Sequence, residues 1–271
     1  MNIFENQTLK LLRNDKLALG FGLNHLRTAG AGLLARACDH DWLFVDAEHG
    51  AFSQDQLAQV CIAALPTGAT PIVRVMKSSL DEGARALDNG AQGIVVAHVD
   101  TPQEAKQAAD AFSFPPEGHR SWGGAQALFG YQATGNAETM AKANSEIIIT
   151  CMIESPEAVA NAEAIAATKG IDVLMIGASD LSAEMGVVGK IGHPKMQDAF
   201  AKVAAACRQS GKAMGMGGVY DSEWGSRYMT EGVRFVLAGT DHTYLMAGAT
   251  ARSTSLRDTF QKLVATDTTN A

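Results

Sequence analysis

The chain has 271 residues, of which 46% are apolar and 19% charged, and its formal net charge is −7. That acidic balance, with no basic run, excludes a generic nucleic-acid or anionic-membrane binder, which needs cations against phosphates. No apolar segment is long enough to span a bilayer, and the N-terminal MNIFENQTLKLLRNDK lacks the apolar core of a secretory leader.

The predicted elements alternate from the first turn onward. Eight short apolar runs read as strands: Leu17–Gly20, Trp42–Asp46, Pro71–Val75, Gly93–Val99, Ile147–Glu154, Val173–Gly177, Lys212–Gly217 and Phe235–Gly239. Between them lie helical patterns with start signals. Ser53 precedes Gln54–Leu65, Ser78 precedes Leu80–Asn89, Thr101-Pro102 opens Gln103–Ala111, and Ser155-Pro156 opens Glu157–Ala167. His193-Pro194 opens Lys195–Gln209, and Asp241 opens the last long helix. A cap residue followed by proline starts a helix because proline there gives up only an N–H that has no intrahelical partner. Strand–helix alternation repeated eight times in this length predicts an α/β fold, a closed (β/α)8 barrel formed as a single domain over residues 1–271. An open doubly wound sheet is the alternative, but no GxGxxG follows the first strand. Phe114–Gly135 breaks the rhythm and is expected to be a long irregular loop. Cys38, Cys61, Cys151 and Cys207 form no close pair and read as reduced thiols of a cytoplasmic protein.

In such a barrel the reacting groups stand at the C-terminal ends of the strands. The second run ends in Asp46, Glu48 and His49, the third carries Arg74, the fourth His98, the fifth Glu154, and the sixth leads to Asp180. Two unpaired carboxylates following apolar runs are costly unless a cation joins them. Glu154 and Asp180 are therefore read as ligands of a divalent metal. An oxygen-only set favours Mg²⁺ or Mn²⁺, with Co²⁺ as a further possibility. Either carboxylate could instead cap the helix that follows it. Arg74 suits a carboxylate, a carbonyl oxygen or an enolate, but could also form a structural pair with Asp46. His49 is the natural proton carrier near neutral pH. Backbone amides near Gly177, Ala178 and Ser179 could bind a substrate carboxylate. His98 is read as a core histidine, Asp241 as a plain N-cap, and the methionines as core filler.

Taken in order, DWLFVDAEHG, PIVRV, LDNGAQGIVVAHVDTPQEAKQAADAFSFPPEGHRSWGG, MIESPEAV and IGASDLSAEMG resemble the HpcH/HpaI aldolase/citrate lyase family, over nearly the whole chain. The resemblance implies a barrel whose last helix is exchanged with a neighbour in a homohexamer. The implied reaction is metal-dependent aldol cleavage or addition, with a small 2-oxo acid such as pyruvate and an aldehyde as partners. It implies Glu154 and Asp180 as metal ligands, Arg74 at the keto oxygen, and amides around Ala178, Ser179 and Asp180 at the carboxylate. It implies His49 in proton transfer, Asp88 as the partner of that histidine from the same or a neighbouring subunit, and Asp46 near the aldehyde-side hydroxyl.

The chain departs from the family pattern at Ala47, at Ala178 and at Met152, which stands where a glutamine is common. It departs again in the first loop, which carries Asn24, His25 and Arg27, and at Arg120-Ser121-Trp122. These loops are expected on the acceptor side, with Trp122 either against an apolar aldehyde or in interface packing. Two rivals remain at this stage: a lyase acting on acyl-CoA esters, and a non-catalytic oxo-acid binding protein. The C-terminal LVATDTTNA has no basic cluster for CoA phosphates, which counts against the first.

Overall fold

The computed structural model describes residues 3–132 and 136–269, the last four of these by backbone alone. Its strands are β1 (Ala18–Leu23), β2 (Trp42–Asp46), β3 (Thr70–Met76), β4 (Gly93–Ala97), β5 (Ile148–Ile153), β6 (Val173–Gly177), β7 (Ala213–Gly217) and β8 (Val233–Thr240). All neighbours pair in parallel, in sequence order, and β8 closes onto β1. The helices are α1 (Gln7–Arg13), α2 (Ala31–Ala37), α3 (Gln54–Ala64), α4 (Leu80–Asp88), α5 (Pro102–Phe112) and α6 (Asn136–Ser145). They continue with α7 (Pro156–Ala160), α8 (Ala162–Ala166), α9 (Ala178–Glu184), α10 (Pro194–Ser210), α11 (Ser222–Thr230) and α12 (Asp241–Thr269). The expected (β/α)8 barrel is thus observed.

Side chains alternate along a strand, so every second residue faces the barrel interior. Trp42, Phe44, Ile72, Val95, Ile148, Met152, Val173, Met175, Phe235 and Leu237 fill it as one buried cluster. Trp42 stacks on Phe235 with ring centroids 4.0 Å apart. A side chain at Gly20 would strike the Trp42 indole, so this glycine is what lets the large ring lie across the floor. It also explains why β1 runs three residues beyond the expected Gly20. Gly-Phe-Gly reads locally as a turn, and the tertiary packing makes it strand.

α1 closes the N-terminal end of the barrel. Asn6 Nδ2 donates to the carbonyls of Gln92 and Glu146, and Thr8 Oγ1 donates to Thr70 Oγ1. The caps at Ser53, Thr101, Ser155 and His193 form as expected. The helix expected over Glu157–Ala167 is broken at Asn161, whose side chain donates to Asp100 O at 2.7 Å. The irregular segment after α5 packs Phe114, Leu128 and Phe129 into a small cluster of its own. Its residues Ala133, Thr134 and Gly135 lie outside the described residues.

α12 stands apart from the other helices. Every described side chain from Thr243 to Ala265 is exposed, with Leu245 at 72% and Phe260 at 66%.

Candidate active site

Register and alternation together build the site. Asp46 is the Cα partner of Arg74. Both follow interior residues by two positions, Phe44 and Ile72, so both point inward at the C-terminal rim. Arg74 Nε donates to Asp46 Oδ1 at 3.0 Å and Arg74 NH2 to Oδ2 at 2.6 Å. The pair is buried and bidentate, the geometry in which arginine is most strongly oriented. Arg74 NH1 is also 3.3 Å from Glu48 Oε2, and the guanidinium lies over the Phe44 ring. Asp46 accepts further hydrogen bonds from the Glu48 and His49 amides and from Asn24 Nδ2. Burial raises its pKa, but the Arg74 hydrogen bond and charge outweigh that and hold it below the ordinary value. So Asp46 spends its lone pairs on fixing Arg74 and the turn that carries His49. His49 itself is 67% exposed at the side chain, with Nε2 4.0 Å from Glu48 Oε2.

Across the pocket, Thr150, Met152 and Glu154 continue the inward face of β5. Glu154 is 1% exposed. It does not cap the following helix, because Ser155 Oγ takes that role by accepting from the Ala158 amide. Asp180 is not a cap either, since it lies within α9, whose N-cap position is Gly177. Both capping alternatives fall away. Glu154 Oε2 accepts from the His98 amide at 2.9 Å. Among the described residues no lysine or arginine pairs with it. Burial, opposed by His98 and Arg74 and assisted by the Asp180 charge, pushes its carboxyl up to about 7.

Ligand-type atoms of His98, Glu154 and Asp180 all lie within 4.8 Å of one another. Such a convergence of carboxylates beside an imidazole fits a divalent cation. Asp180 is exposed at the pocket mouth rather than buried as its sequence context suggested.

The glycine that ends β6 is part of this arrangement. A Cβ at Gly177 would collide with Glu154 Oε1 and crowd its Cγ and Cδ. We therefore expect Gly177→Ala to swing the carboxylate away and weaken divalent-metal affinity about tenfold or more, as loss of a supporting contact at a metal site does. Titration calorimetry with Mn²⁺ would read this, and unchanged affinity would mean that the Glu154 position is immaterial.

The pocket has a volume of about 320 Å³. Its floor is apolar, with Phe44, Met152, Met175 and Leu237. Its walls carry Arg74, Glu154, Asp180 and His49, and Ala178, Ser179 and Tyr220 line the rim. Met152 thus lies directly beneath the reacting end. Asp241 is not the helix cap expected of it, because it is the first residue of α12 itself. Its Oδ2 accepts from the backbone amides of Asn24, His25 and Leu26 and so shapes the first loop over the pocket. Tyr220 was not singled out from sequence, and Asn24 and Asp241 were read there only as part of an unusual first loop and as a helix cap. The only available signals were a polar residue at the end of the first run and an aspartate where the last strand stops.

Two expected site residues stand elsewhere. Asp88 is the last residue of α4, which runs antiparallel to the strands, so it sits at the N-terminal end of the barrel. There its Oδ1 accepts from Arg120 NH2 at 2.6 Å and from Gln126 Nε2 at 2.9 Å. Trp122 lies in the same region, edge-on to Phe114 at 5.3 Å. The chain does not bring either residue to its own His49, and the segment around Trp122 does not border its own pocket. A connection from helix to strand necessarily lies at the end of the barrel opposite the strand tips.

The chain is similar to known proteins in sequence and in fold. The sequence model of the HpcH/HpaI aldolase/citrate lyase family matches residues 33–247. A 4-hydroxy-4-methyl-2-oxoglutarate aldolase from Hapsidospora irregularis is 34% identical, covering 92% of this chain and 94% of its own. A 4-hydroxy-2-oxo-heptane-1,7-dioate aldolase from Escherichia coli is 32% identical, covering 91% and 93%. The crystal structure of an HpcH/HpaI aldolase from Desulfitobacterium hafniense superposes with a TM-score of 0.85 at 25% identity, covering 92% of this chain and 96% of the other.

Proposed function

The chain belongs to the HpcH/HpaI aldolase/citrate lyase family, and from that membership we propose that it is a divalent-metal-dependent aldolase. The reaction is reversible cleavage of a 4-hydroxy-2-oxo acid to pyruvate, or a related 2-oxo acid, and an aldehyde. The observation that carries this reading is Glu154, a buried carboxylate to which no lysine or arginine pairs among the described residues, facing Asp180 and Arg74 across a pocket. Glu154 and Asp180 hold the cation, Mg²⁺ or Mn²⁺ with Co²⁺ as a substitute. When bound, that cation would supply Lewis-acid stabilisation of negative charge at the substrate's keto group.

The remaining roles belong to the chain. The Arg74 N–H groups not committed to Asp46 and Glu48 face the pocket and donate to the keto oxygen as charge develops there. Asp46, with all its near partners on Arg74, Asn24 and the 48–49 turn, holds that guanidinium in plane. His49 is exposed enough to exchange protons with water and moves the proton of the 4-hydroxyl. The amides at Ala178, Ser179 and Asp180 receive the substrate carboxylate. The apolar floor at Met152 and Met175 excludes water beneath the enolate.

Several features of the assembly are part of the same proposal. α12 exposes Leu245, Leu256, Phe260 and Leu263, which its own barrel does not cover, and this supports exchange of this helix between subunits of a homo-oligomer, a hexamer by family resemblance. In that assembly Asp88 reaches His49, and Trp122 reaches the acceptor, from a neighbouring copy. The chain acts as one barrel unit in the cytoplasm, and no helix among the described residues is long and apolar enough to cross a membrane. The acyl-CoA alternative loses ground because the pocket is lined by no lysine and by no arginine other than Arg74.

Proton NMR of pyruvate in D₂O tests the donor half-reaction. With protein and Mn²⁺ or Mg²⁺, the methyl signal is expected to fade by deuterium exchange, and EDTA is expected to stop it. If neither pyruvate nor hydroxypyruvate exchanges its C3 protons at saturating metal, the aldolase reading is wrong.

A further inference from the structure

We propose that His98 is a third protein ligand of the metal, through Nε2, so that the cation is held by one imidazole and two carboxylates. This rests on the metal site proposed above and extends it to a residue that no sequence signal assigns.

Three observations support it. His98 Nε2 lies 3.9 Å from Glu154 Oε2. That is too long for a hydrogen bond. It does suit two donors sharing one ion, because ligands about 2.1 Å from a cation sit about 3.0 Å apart when adjacent and about 4.2 Å apart when opposite. Asp180 lies within 4.8 Å of both donors. Its side chain is exposed and forms no ion pair among the described residues, so rotation about its own bonds closes the set.

The second observation is the backbone. His98 has φ +51°, a left-handed conformation uncommon for a residue with a side chain. The chain turns there immediately after β4, which ends at Ala97. The turn aims the amide of His98 at Glu154 Oε2 and brings the imidazole to the same oxygen. Unusual backbone at a polar cluster points to function when the surroundings hold it in place.

The third is exposure. The His98 side chain is 39% accessible at the strand tips, whereas a core-filling histidine would be enclosed. The reading of this residue as core packing is therefore not supported.

The consequence is metal choice. An all-oxygen site suits Mg²⁺, whereas a nitrogen donor favours cations further along the first transition row. This protein should then prefer Mn²⁺ or Co²⁺ to Mg²⁺.

Pulsed electron paramagnetic resonance of bound Mn²⁺ reads the ligand directly. The full-length protein loaded with Mn²⁺ is expected to show ¹⁴N coupling of an imidazole. In His98→Asn, a residue that tolerates positive φ, the ion is expected to remain bound but without that coupling. The same change should weaken Co²⁺ binding about tenfold or more and Mg²⁺ binding far less, by the donor preference above. Mn²⁺ bound to wild type without nitrogen coupling, or coupling that persists in His98→Asn, overturns the role of His98 alone. Failure of the wild type to bind Mn²⁺, with Glu154→Gln behaving identically, overturns the metal site and this inference with it.

Discussion

Glu154→Gln is expected to lower turnover by about 10³-fold or more, the scale on which an enzyme loses a group that stabilises charge in the transition state. It should do so without unfolding the protein. The substitution keeps shape and hydrogen-bonding capacity at a site that is 1% exposed, but removes the charge a cation needs. The metal-free proteins should also differ in a pH-dependent way. The Glu154 carboxyl titrates near its ordinary value of 4.5 in the unfolded chain, but burial raises it to about 7 in the folded one. Between these values the folded state keeps a proton that the unfolded state has released, so stability falls as pH rises through that window. Above it, the bare buried carboxylate costs the fold about 3 kcal/mol by the linkage relation. Glutamine carries no such cost. Metal-free Glu154→Gln should therefore melt above metal-free wild type at pH 8 and level with it near pH 4.5. Adding Mn²⁺ should reverse the order at pH 8, because only wild type gains binding energy. Thermal melts across this range check both halves. A gap that does not change with pH would show that Glu154 is ionised throughout and that the buried-charge account is mistaken.

Arg74→Lys is the second large effect. Arg74 engages Asp46 through two nitrogens and Glu48 through a third. A lysine offers a compact charge without the planar fork, so it cannot satisfy both oxygens of Asp46 and also face the keto oxygen. We expect kcat to fall about 10²-fold or more, on the scale of one lost oxyanion donor, with a smaller change in KM. Removing the charge altogether is a different experiment. Arg74→Met leaves Asp46 buried and unpaired and should cost about 3–5 kcal/mol of stability, as breaking a buried ion pair does. Steady-state kinetics beside urea melts separates the two. Near wild-type turnover in Arg74→Lys would show that the arginine serves only as the structural partner of Asp46.

Much of this could be read along the chain. Local signals are sufficient for most helix starts: the caps at Ser53, Thr101, Ser155 and His193 formed, whereas α4 begins after Ser79, whose side chain makes no capping bond, and not after Ser78. Strand alternation is equally local. Asp46 and Arg74 face inward because each lies two residues beyond an interior side chain, and parallel pairing sets them opposite one another. The sequence by itself therefore determined the barrel, the family, and the ring of polar groups at the strand tips.

The tertiary structure decided the matters that depend on distances between remote segments. Only the closed barrel shows that β1 continues through Gly20 because Trp42 needs the space, or that Gly177 leaves room for Glu154. His98 looked like core packing because its neighbours in sequence are apolar; its backbone turn places the imidazole beside a carboxylate from the next strand. Asp241 looked like a cap because it begins a helix, yet its carboxylate holds a loop more than two hundred residues earlier in the chain. Asp88 and the segment around Trp122 went the other way. Their motifs mark a site, but a helix end and a helix-to-strand connection must lie at the foot of the barrel. Periodicity reports which way a side chain faces within its own element. It does not report which remote side chain will be there to meet it.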